Sequence, residues 1–321
     1  MTPHARVAPD TAAAAQRSGP RPRSTSYVVV TPAHNEAQFI GKTLQSMVQQ
    51  SVRPLRWVIV DDASTDHTTA IVTGYAARHD FIRLVRMERE AQRDFAKKVG
   101  AFNRGLAELR DLEYDFIGNV DADMSFGHHY FARILASFND APRLGIAGGI
   151  VYTRFTRAFK TYDYTPDSVG GKVQLFRREC FEEIGGYLPL ALGGEDATAE
   201  IMARQHGWQV RKSLEVPAYE HRPTGFAYGN PLAVKLGEGR RFHSLGYDPL
   251  FFAARCLARL TEYPCVVGSA ASLLRYVLAM LRHEALAVPA DVACFLRCEQ
   301  RDKLRARWRA VGAALGARGQ T

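Results

Sequence analysis

The chain has 321 residues, 46% of them hydrophobic, and carries 42 Lys and Arg against 33 Asp and Glu for a formal net charge of +9. That is enough apolar sequence for the core of one sizeable domain and a small appendage, which argues against a wholly disordered chain. The five cysteines, at 180, 256, 265, 294 and 298, have neither Cys-x-x-Cys nor zinc spacing. Their odd number, without a signal-peptide apolar run, fits reduced thiols in a cytoplasm and excludes a disulfide framework.

Residues 1–25 are rich in Ala, Pro, Arg, Ser and Thr, and this composition predicts a disordered tail. From Ser26 the pattern changes to the β-branched run Tyr27-Val-Val-Val30, a polar loop Thr31 to Glu36 and a helical stretch over 37–50. The same β-loop-α unit returns at Leu55 to Val60, with the loop Asp61 to Asp66 and a helix over 67–78 for which Ser64 or Asp66 would serve as N-cap. A third copy comprises Phe81 to Val85 and a helix over 97–109, leading into the strand before Asp121. Alternating strands and helices predict a mostly parallel sheet with right-handed crossovers, whose ligands bind beyond the carboxyl ends of the strands. The polar clusters Asn35/Glu36, Asp61/Asp62 and Asp121/Asp123 all follow strand ends, so one sheet edge would carry them all.

The segment Asp115-Phe-Ile-Gly-Asn-Val-Asp-Ala-Asp123 carries the most chemistry. An apolar strand runs into two carboxylates at i and i+2, which can turn together onto one ligand. Two hard oxygen donors suit Mg²⁺ or Mn²⁺ carrying a diphosphate, because such ions keep few protein ligands and share the rest with phosphates. On its own the pattern is also that of a solvated turn.

Five motifs in order, Pro32-Ala-His-Asn-Glu36, Val60-Asp-Asp-Ala-Ser-Thr-Asp66, Lys98-Val-Gly-Ala-Phe-Asn-Arg-Gly105, Asp121-Ala-Asp123 and Gly193-Gly-Glu-Asp196, resemble the family 2 glycosyltransferases of GT-A fold over about residues 26–225. The resemblance implies a Rossmann-like GT-A domain over 26–228 and transfer of a sugar, with inversion, from a nucleotide-sugar donor. It implies that Pro32 to Glu36 and the Asp61/Asp62 turn hold the nucleoside. A carboxylate there would accept from a uracil N3–H or ribose hydroxyls, and of that pair the resemblance implies that Asp62 faces the base. Asp66, in this reading, caps a helix. Lys98 matches a lysine close to the nucleotide. Asp123 would be the direct metal ligand, and Asp121 would contact the ribose or a metal-bound water. In Tyr219-Glu-His-Arg-Pro-Thr-Gly225, His221 is a candidate metal or diphosphate ligand and Arg222 a candidate diphosphate fork.

An acceptor hydroxyl must lose its proton as it attacks the anomeric carbon, which calls for a positioned carboxylate. The resemblance assigns Asp196 as that base and Glu195 as an acceptor-positioning residue, at the start of a helix over 197–206. The competing reading is two carboxylates favoured by the helix dipole alone. The stretch Val169 to Gly186 resembles the family's link between metal site and base, with glycines that allow close approach to the sugar.

Residues 229–321 hold 14 Lys and Arg against 7 Asp and Glu, so they supply most of the net charge. Within them Leu245 to Leu260 is amphipathic, and Cys265 to Leu281 is apolar apart from small hydroxyls, Arg275 and Tyr276. Two expectations stand side by side for this helical extension. It lies peripherally on an anionic leaflet, or it packs on the catalytic domain with its basic face in water. The basic balance also raises nucleic acid as a partner, but there is no aromatic-basic RNA motif or recognition helix, and acidic strand ends would repel a phosphate backbone.

The resulting expectation is a metal-dependent (Mn²⁺ or Mg²⁺) inverting hexosyltransferase. It would use a nucleotide-diphosphate sugar, UDP-linked by preference, and a saccharide or lipid-linked saccharide acceptor, in cell-surface polysaccharide or glycan synthesis at the inner face of a membrane. The alternatives are a nucleotidyltransferase of similar fold, disfavoured because Thr31 to Glu36 lacks glycine, and an inactive nucleotide-sugar-binding scaffold.

Overall fold

The computed structural model describes residues 25–88, 96–139, 141–155, 158–161, 164–222 and 230–318. The tail expected to be disordered falls almost wholly outside them. Strands β1 (Tyr27–Ala33), β2 (Arg56–Asp62), β3 (Ile82–Met87) and β4 (Phe116–Val120) pair in parallel in the order β3-β2-β1-β4. They are joined by helices α1 (Ile40–Val48), α2 (Thr68–Ala76) and α3 (Ala96–Ala107). Val28 to Val30 and Val58 to Val60 have no exposed surface, as expected for strands covered on both faces. Helix α1 begins later than residue 37 because the Glu36 carbonyl first closes a turn, accepting from Phe39 N at 2.9 Å and Ile40 N at 2.8 Å.

The chain continues through β5 (Met124–Phe126), α4 (Tyr130–Asn139), β6 (Leu144–Phe155), β7 (Ala158–Lys160), β8 (Val173–Arg177), α5 (Arg178–Glu183), α6 (Glu195–Gln205) and β9 (Gln209–Glu220). The sheet order is β3-β2-β1-β4-β8-β6-β9-β5, with β7 on β6. Antiparallel β8 sits between β4 and β6, and β5 and β7 also run against the majority, so the sheet is mostly parallel. Along β6 and β9 the register passes from Gly149↔Ser213 to Ile150↔Pro217, so residues 214–216 bulge out of the ladder.

Helix α3 lies close to the sheet because Gly105 has no side chain. A Cβ there would come within 2.5 Å of Val30 Cγ1 and 2.9 Å of Val60 Cγ2. This contact seats Lys98, near the start of α3, over the strand ends.

Helices α7 (Pro231–Ser244), α8 (Pro249–Ala258), α9 (Val267–Leu281) and α10 (Ala290–Arg318) complete the chain. Within the amphipathic stretch 245–260 the helix begins at Pro249: Gly246 (φ +77) ends the preceding turn, and Asp248 Oδ1 caps α8 by accepting from Leu250 N at 3.0 Å and Phe251 N at 3.2 Å. Leu245, Val288, Val292, Ala293 and Leu296 belong to the same core as Val169, Phe176 and Ala199. Arg204 to Glu299, at 2.8 Å, ties α6 to α10. Helices α7 to α9 form a smaller core of Phe242, Phe252, Cys256 and Tyr276. Apolar side chains nevertheless face outward from α8 and α9, among them Leu250 (74% exposed), Leu257 (67%), Leu274 (57%) and Leu281 (66%). Among the described residues no helix is long and apolar enough to cross a membrane.

Candidate active site

The loops after β1 and β2 brace each other. Asn35, at φ 54, donates its N–H to Ser64 Oγ (3.0 Å) and accepts at Oδ1 from Thr65 N (2.8 Å). Glu36 N donates to Thr68 Oγ1 (2.7 Å) and Ala37 N to Asp66 Oδ2 (3.0 Å). Ser64 is therefore spent on the neighbouring loop, and it is Asp66 that accepts from Thr68 N (2.9 Å) as α2 begins. The adjacent aspartates divide cleanly. Asp61 is buried, accepting from Ser64 N at 2.9 Å and from the Thr69 hydroxyl. The half-buried Asp62 carboxylate is engaged by no other described residue. Pro32 sits just past the last β4-paired residue of β1, where no N–H is needed toward that strand.

At the end of β4 the chain turns through Asp121 and Asp123 into β5. Asp121 Oδ1 lies 2.8 Å from Lys98 Nζ, and the same ammonium stands 3.9 Å from Glu195 Oε1. Burial lowers the Lys98 pKa, but Asp121 and then Glu195 outweigh it, so the ammonium is held above its ordinary value. Asp123 is buried; its Oδ2 accepts from Arg222 Nε at 3.1 Å. Its Oδ1 has no hydrogen-bond partner among the described residues. Burial first, and the charge of Asp121 second, push the Asp123 carboxyl up. Arg222 also pairs with Glu36 and lies over the Phe39 ring, 5.2 Å from its centroid. Burial pushes Glu36 up to about 7 despite that guanidinium.

His221 donates its backbone N–H to the Asp123 carbonyl (2.8 Å), but its ring turns elsewhere. Nε2 lies 2.7 Å from Ser125 Oγ and Nδ1 3.4 Å from Lys42 Nζ. An ammonium can only donate, so Nδ1 is the acceptor and Nε2 carries the proton. Burial, then Lys42, lowers the imidazole pKa and keeps it neutral. The structure thus brings Asp121, Asp123, Lys98, Arg222 and Glu36 together and leaves the His221 ring on Ser125. Among the described residues no three His, Cys, Asp or Glu side chains gather into a metal site. The residues fit an ion held by the two aspartates, with the unpartnered Asp123 Oδ1 available, and completed by phosphate and water oxygens.

Across the cleft, Gly193 (φ +76) and Gly194 (φ +99) take backbone conformations that favour glycine and turn the chain into α6. Glu195 and Asp196 occupy its first turn, where the helix dipole favours carboxylates. Burial pushes the Glu195 carboxyl up against the opposing pull of Lys98. A cleft of about 230 Å³ separates the two sides, lined by Lys98, Phe102, Asn119, Tyr187, Glu195 and Asp196. Gly171 forms its wall; a Cβ there would stand 2.7 Å from Asp196 Oδ2.

Several residues of the site were not singled out in the sequence. The Lys172 ammonium pairs with the buried Glu220 and is held above its usual pKa; burial lowers it, but Asp121 and Glu220 prevail. Thr153 Oγ1 donates to Glu220 at 2.6 Å. Buried Glu200 accepts from Val169 N (2.7 Å), Gly170 N (3.1 Å) and Gln174 Nε2 (3.1 Å), and so holds the loop that carries Gly171. Lys172 directly follows the glycine pair noted for close approach, a usable signal; Glu200 and Glu220 have no local one.

A profile of Glycosyl transferase family 2 matches residues 28–192, more than half of the chain. The chain belongs to that family. Among curated family relatives, the probable glycosyltransferase YdaM of Bacillus subtilis is 27% identical over 249 residues, covering 70% of this chain and 57% of YdaM. The succinoglycan biosynthesis protein ExoA of Rhizobium meliloti is 27% identical over 213 residues, covering 58% of this chain and 60% of ExoA. The chain thus spans a little under two thirds of these relatives. Among solved structures, the mannosyltransferase PcManGT of Pyrobaculum calidifontis superposes with a TM-score of 0.52 at 18% identity, over 91% of this chain and 80% of that one. S. aureus TarS 1–349 gives 0.50 at 17% identity, over 67% and 64%. At these identities the likeness establishes the GT-A fold of this family 2 member.

Proposed function

We propose that this family 2 protein is a metal-assisted inverting hexosyltransferase that moves a sugar from a nucleotide diphosphate, UDP by preference, to a saccharide or lipid-linked saccharide in surface polysaccharide or glycan synthesis. The observation that carries the reading is Lys98, which stands between Asp121 on the donor side and Glu195 beside Asp196 on the acceptor side. Support comes also from the fold neighbours, PcManGT solved with GDP-Man and Mn²⁺ and TarS with UDP-GlcNAc.

In this reading Asp62 accepts from the base or ribose, while Lys98 and Arg222 bind the diphosphate. Mn²⁺ or Mg²⁺ on Asp123 and Asp121, when bound, would neutralise charge on the departing diphosphate. Asp196 takes the acceptor hydroxyl's proton as that oxygen bonds to the anomeric carbon and the carbon–phosphate-oxygen bond breaks on the opposite face. Glu195 orients the acceptor. The outward apolar side chains of α8 and α9, with the basic balance of the C-terminal helices, support peripheral contact with an anionic membrane face. Nucleotide release from a panel of UDP- and GDP-sugars, with Mn²⁺ or Mg²⁺ and with EDTA, tests the proposal. One donor should turn over with metal and fail with EDTA or in Asp123→Ala. A protein that binds donors but never releases nucleotide, with any acceptor, would be a scaffold instead.

A further inference from the structure

Helices α7, α8 and α9 line a second, open cleft, away from the GT-A site. Its charged lining is Lys235 and Glu238 of α7, Arg255 of α8 and Arg259 just after it, and Ser269 and Ser272 of α9 close the other side. Glu262, just beyond α8, joins the charge network. Glu238 pairs with Lys235 (3.0 Å) and Arg259 (3.3 Å), and Glu262 with Arg259 (2.6 Å) and Lys235 (3.8 Å). Both carboxylates are therefore taken by two of the three cations. Arg255 is the third. Its guanidinium lies 4.9 Å from the Phe242 ring centroid, and no hydrogen bond or ion pair joins it to another residue among those described.

The half-buried guanidinium feels Glu238 and Glu262 only at a distance, and stacking on one ring satisfies none of its five N–H donors, which leaves the fork open to a ligand. Burial, and then the charge of Arg259, already press its pKa downward. Such a planar fork matches the oxygens of a phosphate, with which it forms paired charge-assisted hydrogen bonds. The α9 side adds no further carboxylate: Ser272 is buried, and Ser269 gives its one hydroxyl hydrogen to the Arg259 carbonyl at 3.2 Å, which leaves Ser272 as the serine able to donate to an anion.

We infer that the α7–α8–α9 cleft is a binding site for a phosphate group, held by Arg255 with Lys235 and Arg259 at its rim. The phosphate belongs to a small soluble phosphate compound or to a lipid headgroup. The loop beside the cleft, where Gly268 packs on Pro264 and Lys235, exposes Tyr263 (78%) and Val266 (59%), which would suit a headgroup with a hydrocarbon attached. This site stands apart from the nucleotide-sugar reading and does not depend on it.

Cys256 lines the cleft and is buried, whereas Cys294 and Cys298, on α10, are exposed and serve as internal references. The test is the alkylation rate of each cysteine in the full chain, followed by mass spectrometry at constant ionic strength set with sodium chloride. The additions are inorganic phosphate, glycerol 3-phosphate, neutral phosphatidylcholine vesicles, or the same vesicles containing phosphatidylglycerol. The expected result is at least a fivefold slowing at Cys256 with Cys294 and Cys298 unchanged, lost in Arg255→Gln. Protection by the soluble phosphates assigns a soluble ligand, and protection only by phosphatidylglycerol vesicles assigns a lipid headgroup. Unchanged Cys256 reactivity in all additions, or protection that persists in Arg255→Gln, overturns the inference. A thermal melt of the same variant checks its fold. Should Arg255→Gln not fold, wild-type protein in chloride against phosphate still decides.

Discussion

Arg222 Nε donates to Asp123 Oδ2 across 3.1 Å, so a cation from the end of β9 already sits on the carboxylate assigned to the metal. The same guanidinium holds Glu36, which binds three separate chain segments at one point. If this fork takes up the donor diphosphate, Arg222→Ala weakens donor affinity about 10- to 100-fold, the range for charge-assisted hydrogen bonds. Arg222→Lys recovers only part, because an ammonium lacks the fork. Calorimetric titration with the nucleotide sugar checks both, and equal affinity in all three proteins would remove Arg222 from the donor site.

Asp196→Asn keeps the shape of the cleft wall and removes the carboxylate proposed as the base. Turnover should fall about 10²- to 10⁴-fold while the donor dissociation constant stays within about twofold. A comparable loss of donor affinity would make Asp196 a binding residue.

Gly171→Ala tests the same wall from the other side. The new methyl would meet Asp196 Oδ2 at 2.7 Å and its Cγ at 2.9 Å, so the carboxylate must move. The expected outcome is a fall in kcat of about tenfold or more with donor KM nearly unchanged, since misplacing a reacting group by an ångström costs about this much or more. Steady-state kinetics against a Gly170→Ala control, whose added Cβ meets nothing within 4 Å but is strained by φ +77, separates the clash from general loop damage.

Glu200 links the site to stability. Burial raises its folded pKa above the unfolded value of 4.5. Its protonated form is therefore favoured in the fold: this contribution to stability is fully present below pH 4.5 and is lost as pH rises through the raised folded pKa. Glu200→Gln keeps the Oε1 acceptor for Val169, Gly170 and Gln174 but removes the charge. Thermal melts between about pH 4.5 and pH 8 should show a shallower decline for the variant than for wild type. Parallel curves would show that Glu200 does not titrate across that window.

Much of the donor edge was legible because it is written locally. A β-branched strand followed by paired carboxylates needs only a few consecutive residues to be recognised, whereas the bonds that hold Asp61 to Ser64 and Thr69 are seen only in the fold. The acceptor wall was legible through its glycines, whose positive φ at 193 and 194 leaves few alternatives. Lys172 with Glu220 and Glu200 with Val169 were not, because each joins residues tens of positions apart and each member alone looks like a surface charge. The direction of the His221 ring was equally hidden: it depends on Lys42 and Ser125, which no spacing brings together. In the C-terminal helices, periodicity identified an apolar face but not that α10 would fold back onto α6 while α8 and α9 kept theirs outward.

The bulge at residues 214–216 has a consequence for how such a site can change over generations. Side chains alternate along a strand, so the number of residues looped out between Ser213 and Pro217 sets the phase in which Glu220, His221 and Arg222 arrive opposite β5 and Asp123. Losing or gaining a single bulge residue would present a different neighbour to that carboxylate without any substitution in the site itself. Loop length several residues away is thus a heritable control on which side chain meets the Asp121–Asp123 turn, and β9 is the place to look for it when related chains are compared.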